Sequence, residues 1–176
     1  MKIGLIFPAM LMAKRFSDRI FAPRELFQWL ADGLVDQGHE VFVYGSEDIK
    51  TKAKVIAPDS IVENTSLKSV KDNKGNEKCI DSLTHARDLY EFELATMTSA
   101  IKHAKQESLD VIHVYLSYPA HYFDELIDIP VVYSVHDLIF DQDTIEYQIL
   151  KKYHIALNVP ILSSQRKEFE TRTSMR

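Results

Sequence analysis

Short apolar runs recur along the chain, with amphipathic stretches between them. KIGLIF at 2–7, EVFVYG at 40–45, DVIHVYL at 110–116, PVVYSV at 130–135 and VPILS at 159–163 are apolar at successive rather than alternating positions. Such runs suit strands buried on both faces, as in the middle of a parallel sheet. AKVIA at 53–57 is weaker and predicts an edge strand. Leu26, Trp29, Leu30, Gly33 and Leu34 follow the i, i+3, i+4 spacing of one helix face. Pro23 suits the first helical turn and Gly38 the stop after the last. Ala86, Tyr90, Leu94, Met97, Ile101 and Ala104 mark a longer second helix, and 119–127 and 142–155 predict two more.

Strands alternating with helices predict an α/β fold: a Rossmann-like three-layer sandwich with a mainly parallel sheet and right-handed crossovers. The 176 residues fit one domain, 1–176. The polar stretch 58–82 interrupts the pattern around the turn signal Asp72-Asn73-Lys74-Gly75-Asn76. A segment of that length without a clear element is functional or mobile.

Composition narrows the function classes. With 45% apolar and 27% charged residues the chain reads as an ordinary globular domain, and a net charge of −5 without a basic block argues against nucleic-acid binding. The single cysteine, Cys79, excludes an internal disulfide. Pro8, Lys14 and Arg15 break the first apolar run before it reaches signal-peptide length, and no run has the length of a transmembrane segment. A cytoplasmic location is the expectation.

In an open α/β sheet ligands bind at the carboxyl ends of the strands. That rule selects Pro8 to Ala22 after the first strand, Gly45 and Ser46 after the second, Ser117 and Tyr118 after the third main run, His136 and Asp137 after the fourth, and Ser163, Ser164 and Gln165 after the fifth. An imidazole at His136 can donate to a sugar hydroxyl or phosphate or carry a proton, and it can equally cap the strand end. Lys14, Arg15, Arg19 and Arg24 gather around the first helix start, where a helix N-terminus with cations makes an anion site. Asp18 and Glu25 stand beside them as counter-charges, and surface solvation is the stronger reading for Lys14 and Arg15. His113 lies inside a strand and reads as core, and His39 reads as part of a turn. Tyr115, Tyr118, Tyr122 and Phe123 suit core packing first and ring stacking second. No Cys/His spacing suggests zinc, and GxGxxG, Walker and GxSxG motifs are absent. Asp141-Gln142-Asp143 leads into a predicted helix and reads as a cap rather than a metal site.

Three segments together resemble the N-terminal domain of glycosyltransferase family 4, a GT-B-fold family. Residues 19–58 resemble its first loop, long helix, Gly-His-Glu-Val turn and second strand. Residues 110–137 resemble its Asp-Val-x-His strand, helix and Pro-Val-Val-x-Thr-x-His strand, and residues 158–169 resemble the strand that its Ser-x-x-Gln-Arg pattern follows. The resemblance implies the acceptor-side, N-terminal half of a GT-B enzyme that transfers a sugar from a nucleotide-sugar donor to a carbohydrate or lipid-linked acceptor. It implies His136 facing the donor sugar as the catalytic histidine. Arg19, Arg24, Glu25, Tyr118, Asp137, Ser164 and Gln165 are then expected to contact substrate. It implies no metal and no cofactor beyond the nucleotide-sugar co-substrate. The family's C-terminal donor-binding domain, with its E-x7-E motif, is absent here, so a donor domain or a partner chain is expected to complete the site and the chain alone is expected to be inactive. One departure is local: Ala22-Pro23-Arg24-Glu25 stands where the family has Gly-Gly. The alternatives are one chain of a split two-subunit enzyme, or a non-catalytic α/β binding module.

Overall fold

The computed structural model describes residues 1–8, 22–47, 49–58, 82–115, 118–134 and 143–152. Strand β1 (Lys2–Ile6) leads to helix α1 (Ala22–Asp36), β2 (Glu40–Tyr44) and the short β3 (Lys54–Ile56). Helix α2 (Ser82–Glu107), β4 (Val111–Tyr115), a 3₁₀ helix (Tyr118–Leu126), β5 (Val131–Ser134) and helix α3 (Ile145–Lys152) follow. The five strands form one sheet in the order β3-β2-β1-β4-β5, and every adjacent pair is parallel. The predicted strand at 159–163 lies outside the described residues, as does nearly all of the polar stretch 58–82.

Period-2 alternation divides the sheet's side chains between two cores. Ile3, Leu5, Phe7, Val41, Val43 and Tyr115 meet Phe27 and Ala31 of α1 on one face. Ile6, Phe42, Tyr44, Ile112 and Val114 meet Met97, Ala100 and Ala104 of α2 on the other, with Ala120 of the 3₁₀ helix. The result is three layers, and β1 is buried on both faces. Each buried Leu, Ile, Val or Phe contributes about 1.5–3 kcal/mol relative to exposure.

The helix face that packs matches the predicted stripe only in part: Leu34 packs against the core as expected. Phe27 and Ala31 are buried with Leu34 and Val35 beside them, whereas Leu26 is 47% and Trp29 67% exposed. Phe27, Ala31, Leu34 and Val35 also obey helical spacing, so α1 carries two apolar stripes and the sheet selected one. In α2 the same selection buries Met97 and Ala104 as expected and leaves Tyr90 exposed. Gly38 ends α1 as predicted, at φ 83°. Its N–H donates to Val35 and that of His39 to Leu34, a Schellman closure that turns the chain into β2. The segment read as a short helix at 119–127 is a 3₁₀ helix, and α3 lies within the predicted 142–155, of which 142 and 153–155 lie outside the described residues. Thr144 caps α3, its Oγ1 accepting from Tyr147 N–H at 3.3 Å; Asp141 and Gln142 of the predicted cap lie outside the described residues. A threonine directly before the first helical residue reaches that N–H, while Asp143 is exposed one position too early.

Loop 49–53 is tied to α1 by one carboxylate. Asp32 accepts from Thr51 Oγ1 at 2.6 Å and from Lys52 N–H at 2.7 Å. Burial works against its charge, but those two bonds and the Lys52 ammonium hold the carboxyl below its ordinary value. On the other face, Tyr44 Oη shares a hydrogen bond with His103 Nδ1 at 2.9 Å, and burial, helped by the Glu107 charge, pushes the phenol up.

Two substitutions test this packing. A Cβ at Gly4 would stand 2.8 Å from Leu109 Cδ1 and 3.0 Å from Tyr44 Cε2, so Gly4→Ala is expected to destabilise by about 1–3 kcal/mol in urea unfolding. Burial raises the Glu93 carboxyl from 4.5 to about 7. Between those values the folded chain keeps a proton that the unfolded chain has lost, so stability falls as pH rises through that window. Glu93→Gln is expected to flatten this decline and to stabilise by on the order of 3 kcal/mol at pH 8, measured as the shift in urea midpoint with pH.

Candidate functional site

The strand order reverses beside β1. From β1 the chain moves outward to β2 and β3, then returns to place β4 on β1's other side. The crevice outside the carboxyl ends of β1 and β4 is the topological switch point, where ligands of open α/β sheets bind. Its floor is aromatic. Ile6 pairs with Val114, so the next residues, Phe7 and Tyr115, stand side by side with ring centroids 5.4 Å apart. Phe27, from the second turn of α1, closes the trio at 4.5 Å from Phe7 and 5.7 Å from Tyr115. All three side chains are buried, and burial pushes the Tyr115 phenol up. The trio anchors the N-terminal half of α1 over the switch point.

Polar groups surround that floor. After β2, Gly45 and Ser46 are buried, and the Ser46 carbonyl accepts from Ile49 N–H in a tight turn. A Cβ on Gly45 would come within 2.9 Å of Ile49 Cδ1, so the turn packs closely against its own return. In the first turn of α1, Arg24 is partly buried and Glu25 exposed. Pro23 supplies no N–H there, so this helix start offers one donor fewer than a Gly-Gly start. At the carboxyl end of β5, Ser134 Oγ shares a 2.7 Å hydrogen bond with His113 Nε2 of β4.

Of the residues singled out from the sequence, the structure brings Arg24 and Glu25 to the helix start beside the switch point. Tyr118 opens the 3₁₀ helix that follows β4, and only its backbone is described. Lys14, Arg15, Arg19, His136, Asp137, Ser164 and Gln165 lie outside the described residues. His113 is only partly buried and bonded across strands, rather than simply packed. Tyr115 joins the core, Phe123 packs against the α2-side cluster, and Tyr122 is exposed. Sequence reasoning missed the Phe7–Phe27–Tyr115 trio and Ser134. The signal for Ser134 was its place two residues before His136 in the sequence. Among the described residues no three His, Cys, Asp or Glu side chains gather as a metal site would need.

The sequence profile of glycosyltransferase family 4 matches residues 28–173. The chain belongs to this family. No curated protein matches it. Among solved structures, the glycosyltransferase SsfS6 of Streptomyces sp. SF2575 is 20% identical over 76% of this chain and 38% of its own, with a TM-score of 0.40. SsfS6 complexed with thymidine diphosphate is 18% identical over 92% of this chain and 48% of its own, with a TM-score of 0.44. The glycotransferase of kitacinnamycin is 14% identical over 86% of this chain and 38% of its own, with a TM-score of 0.44. The family 4 chain described here spans less than half the length of those solved chains.

The aromatic floor makes a direct prediction. Phe27→Ala removes the ring that joins α1 to both strand ends, and is expected to cost about 3–5 kcal/mol in chemical denaturation.

Proposed function

We propose that this family 4 chain is the acceptor-side domain of a GT-B glycosyltransferase, and that it transfers a sugar only when a nucleotide-binding domain closes over its carboxyl edge. The observation that carries the reading is the reversal of strand order at β1 and β4 in a chain of this family. It supplies a crevice with a rigid apolar floor, flanked by the start of α1 and the ends of β2 and β5.

On this reading the donor is a nucleotide-sugar and the acceptor a carbohydrate or a lipid-linked saccharide. His136 follows the last residue of β5 by two positions, and its imidazole faces the donor sugar and donates to a hydroxyl. Asp137, Tyr118, Ser164 and Gln165 contact substrate around it. Arg19, Arg24 and Glu25 work at the helix start, with Arg19 and Arg24 offsetting donor phosphate charge. Stabilising the departing nucleotide diphosphate requires preorganised donors from both domains in a closed cleft, so the chain alone binds acceptor weakly and does not turn over. The donor domain lies on the same polypeptide or on a partner chain. No helix among the described residues is long and apolar enough to cross a membrane, and the reading places the enzyme in the cytoplasm.

The test is reconstitution. The chain is joined to, or mixed with, its cognate donor domain, and nucleotide release is followed across a panel of sugar nucleotides and acceptors. Acceptor-dependent release is expected, and His136→Ala is expected to lower kcat by about 100-fold with the fold intact. Absence of release with every donor would instead identify a non-catalytic binding module. The missing N–H at Pro23 gives that module its one structural support.

A further inference from the structure

The α1-side face of the sheet is unevenly covered. Over β1 and β2 it is packed by Phe27 and Ala31 of α1. At β5 Val132 of this face is 52% exposed. Val132 pairs with His113, and Ser134 pairs with Tyr115, so His113, Tyr115, Val132 and Ser134 share this face. Tyr133 and Val131 point to the opposite side and pack against the α2 cluster. His113 and Ser134 meet each other, Nε2 to Oγ at 2.7 Å.

Among the described strands β5 lies at one edge of the sheet, and its four residues pair with β4. The His113–Ser134 bond adds a side-chain crosslink at its carboxyl end. It joins the middle of β4, itself held by β1 through the Leu5–His113 pair, to the last residue of β5.

We propose that the His113–Ser134 hydrogen bond is a positioning clasp, fixing the carboxyl end of β5 and so the chain that reaches His136 two residues later. The proposal rests on the reading of His136 as the cleft histidine. His113 and Ser134 are positioning residues and touch no substrate. A net bond of this kind contributes about 1 kcal/mol, enough to bias a strand end without deciding whether the domain folds.

Isotope-labelled full-length chain tests the clasp without any assay of turnover. Ser134→Ala, His113→Phe, the double variant and Ser134→Thr are compared with wild type. The readouts are the His136 ring resonances, the amide exchange of residues 132–134 and the thermal midpoint. Each single variant is expected to displace the His136 signals and to speed exchange at the end of β5 about fivefold. The double variant goes no further than either single one, and Ser134→Thr restores the wild-type spectrum because it keeps the hydroxyl. His136 signals unchanged in a folded Ser134→Ala chain overturn the proposal, as does full additivity in the double variant. Should Ser134→Ala fail to fold, Ser134→Cys preserves the side-chain volume and gives the same comparison. In the reconstituted enzyme the clasp variants are expected to lower kcat about tenfold at unchanged acceptor KM. An inactive wild-type assembly would count against the proposed function and leave the spectroscopic result to decide the clasp.

Discussion

Burial of β1 on both faces is the constraint on which the rest of this domain depends. Lys2–Ile6 pair in register with β2 on one side and Ile3, Gly4, Leu5 and Ile6 with β4 on the other, and β1 side chains feed both hydrophobic clusters. Leu5 and Phe7 face α1, while Ile6 faces α2. Gly4 has no side chain because Leu109 and Tyr44 already fill the space a Cβ would take. A central strand of this kind allows the two crossovers to lie on opposite faces. That arrangement reverses the strand order beside it and opens the crevice.

The same constraint orders the functional edge. Phe7 extends β1 by one residue and stacks with Tyr115 and Phe27, so the switch point has a dry aromatic floor rather than a glycine-lined cradle. Aromatic packing fixes α1 against the strands, and with it Arg24 and Glu25 in the first turn. At β2 the compact turn at Ser46 and the hold of Asp32 on loop 49–53 fix the edge. At β5 Val132 is 52% exposed on the α1 side, and Ser134 bonds to His113 across the strands.

Titratable groups away from the edge answer to burial. Glu93 and Tyr44 are both held neutral over a wider pH range than in water, one by desolvation and one by desolvation with a nearby carboxylate. These shifts belong to the α2 layer. Perturbed pKa values mark functional sites often enough to invite that reading. Here Tyr44 lies in the α2-side cluster and Glu93 on α2, and both shifts bear on stability.

By itself the sequence determined the alternation of strands and helices, the stop at Gly38, the parallel character of the sheet and the family. Each of these is written locally, in runs apolar at every position, in helical periodicity or in short ordered motifs. Five of the six predicted strands fall within the described residues and stand within a residue or so of their expected ends. Only the tertiary structure decided which stripe of α1 packs. Leu26–Trp29–Leu30 and Phe27–Ala31–Leu34 are both helical in period, and the sheet's own side chains break the tie. It also decided that Thr144 caps α3, that Phe7, Phe27 and Tyr115 meet, and that His113 and Ser134 bond across strands. The aromatic and His113–Ser134 pairings depend on register and crossing geometry, which residues far apart in sequence acquire only when the sheet assembles around β1.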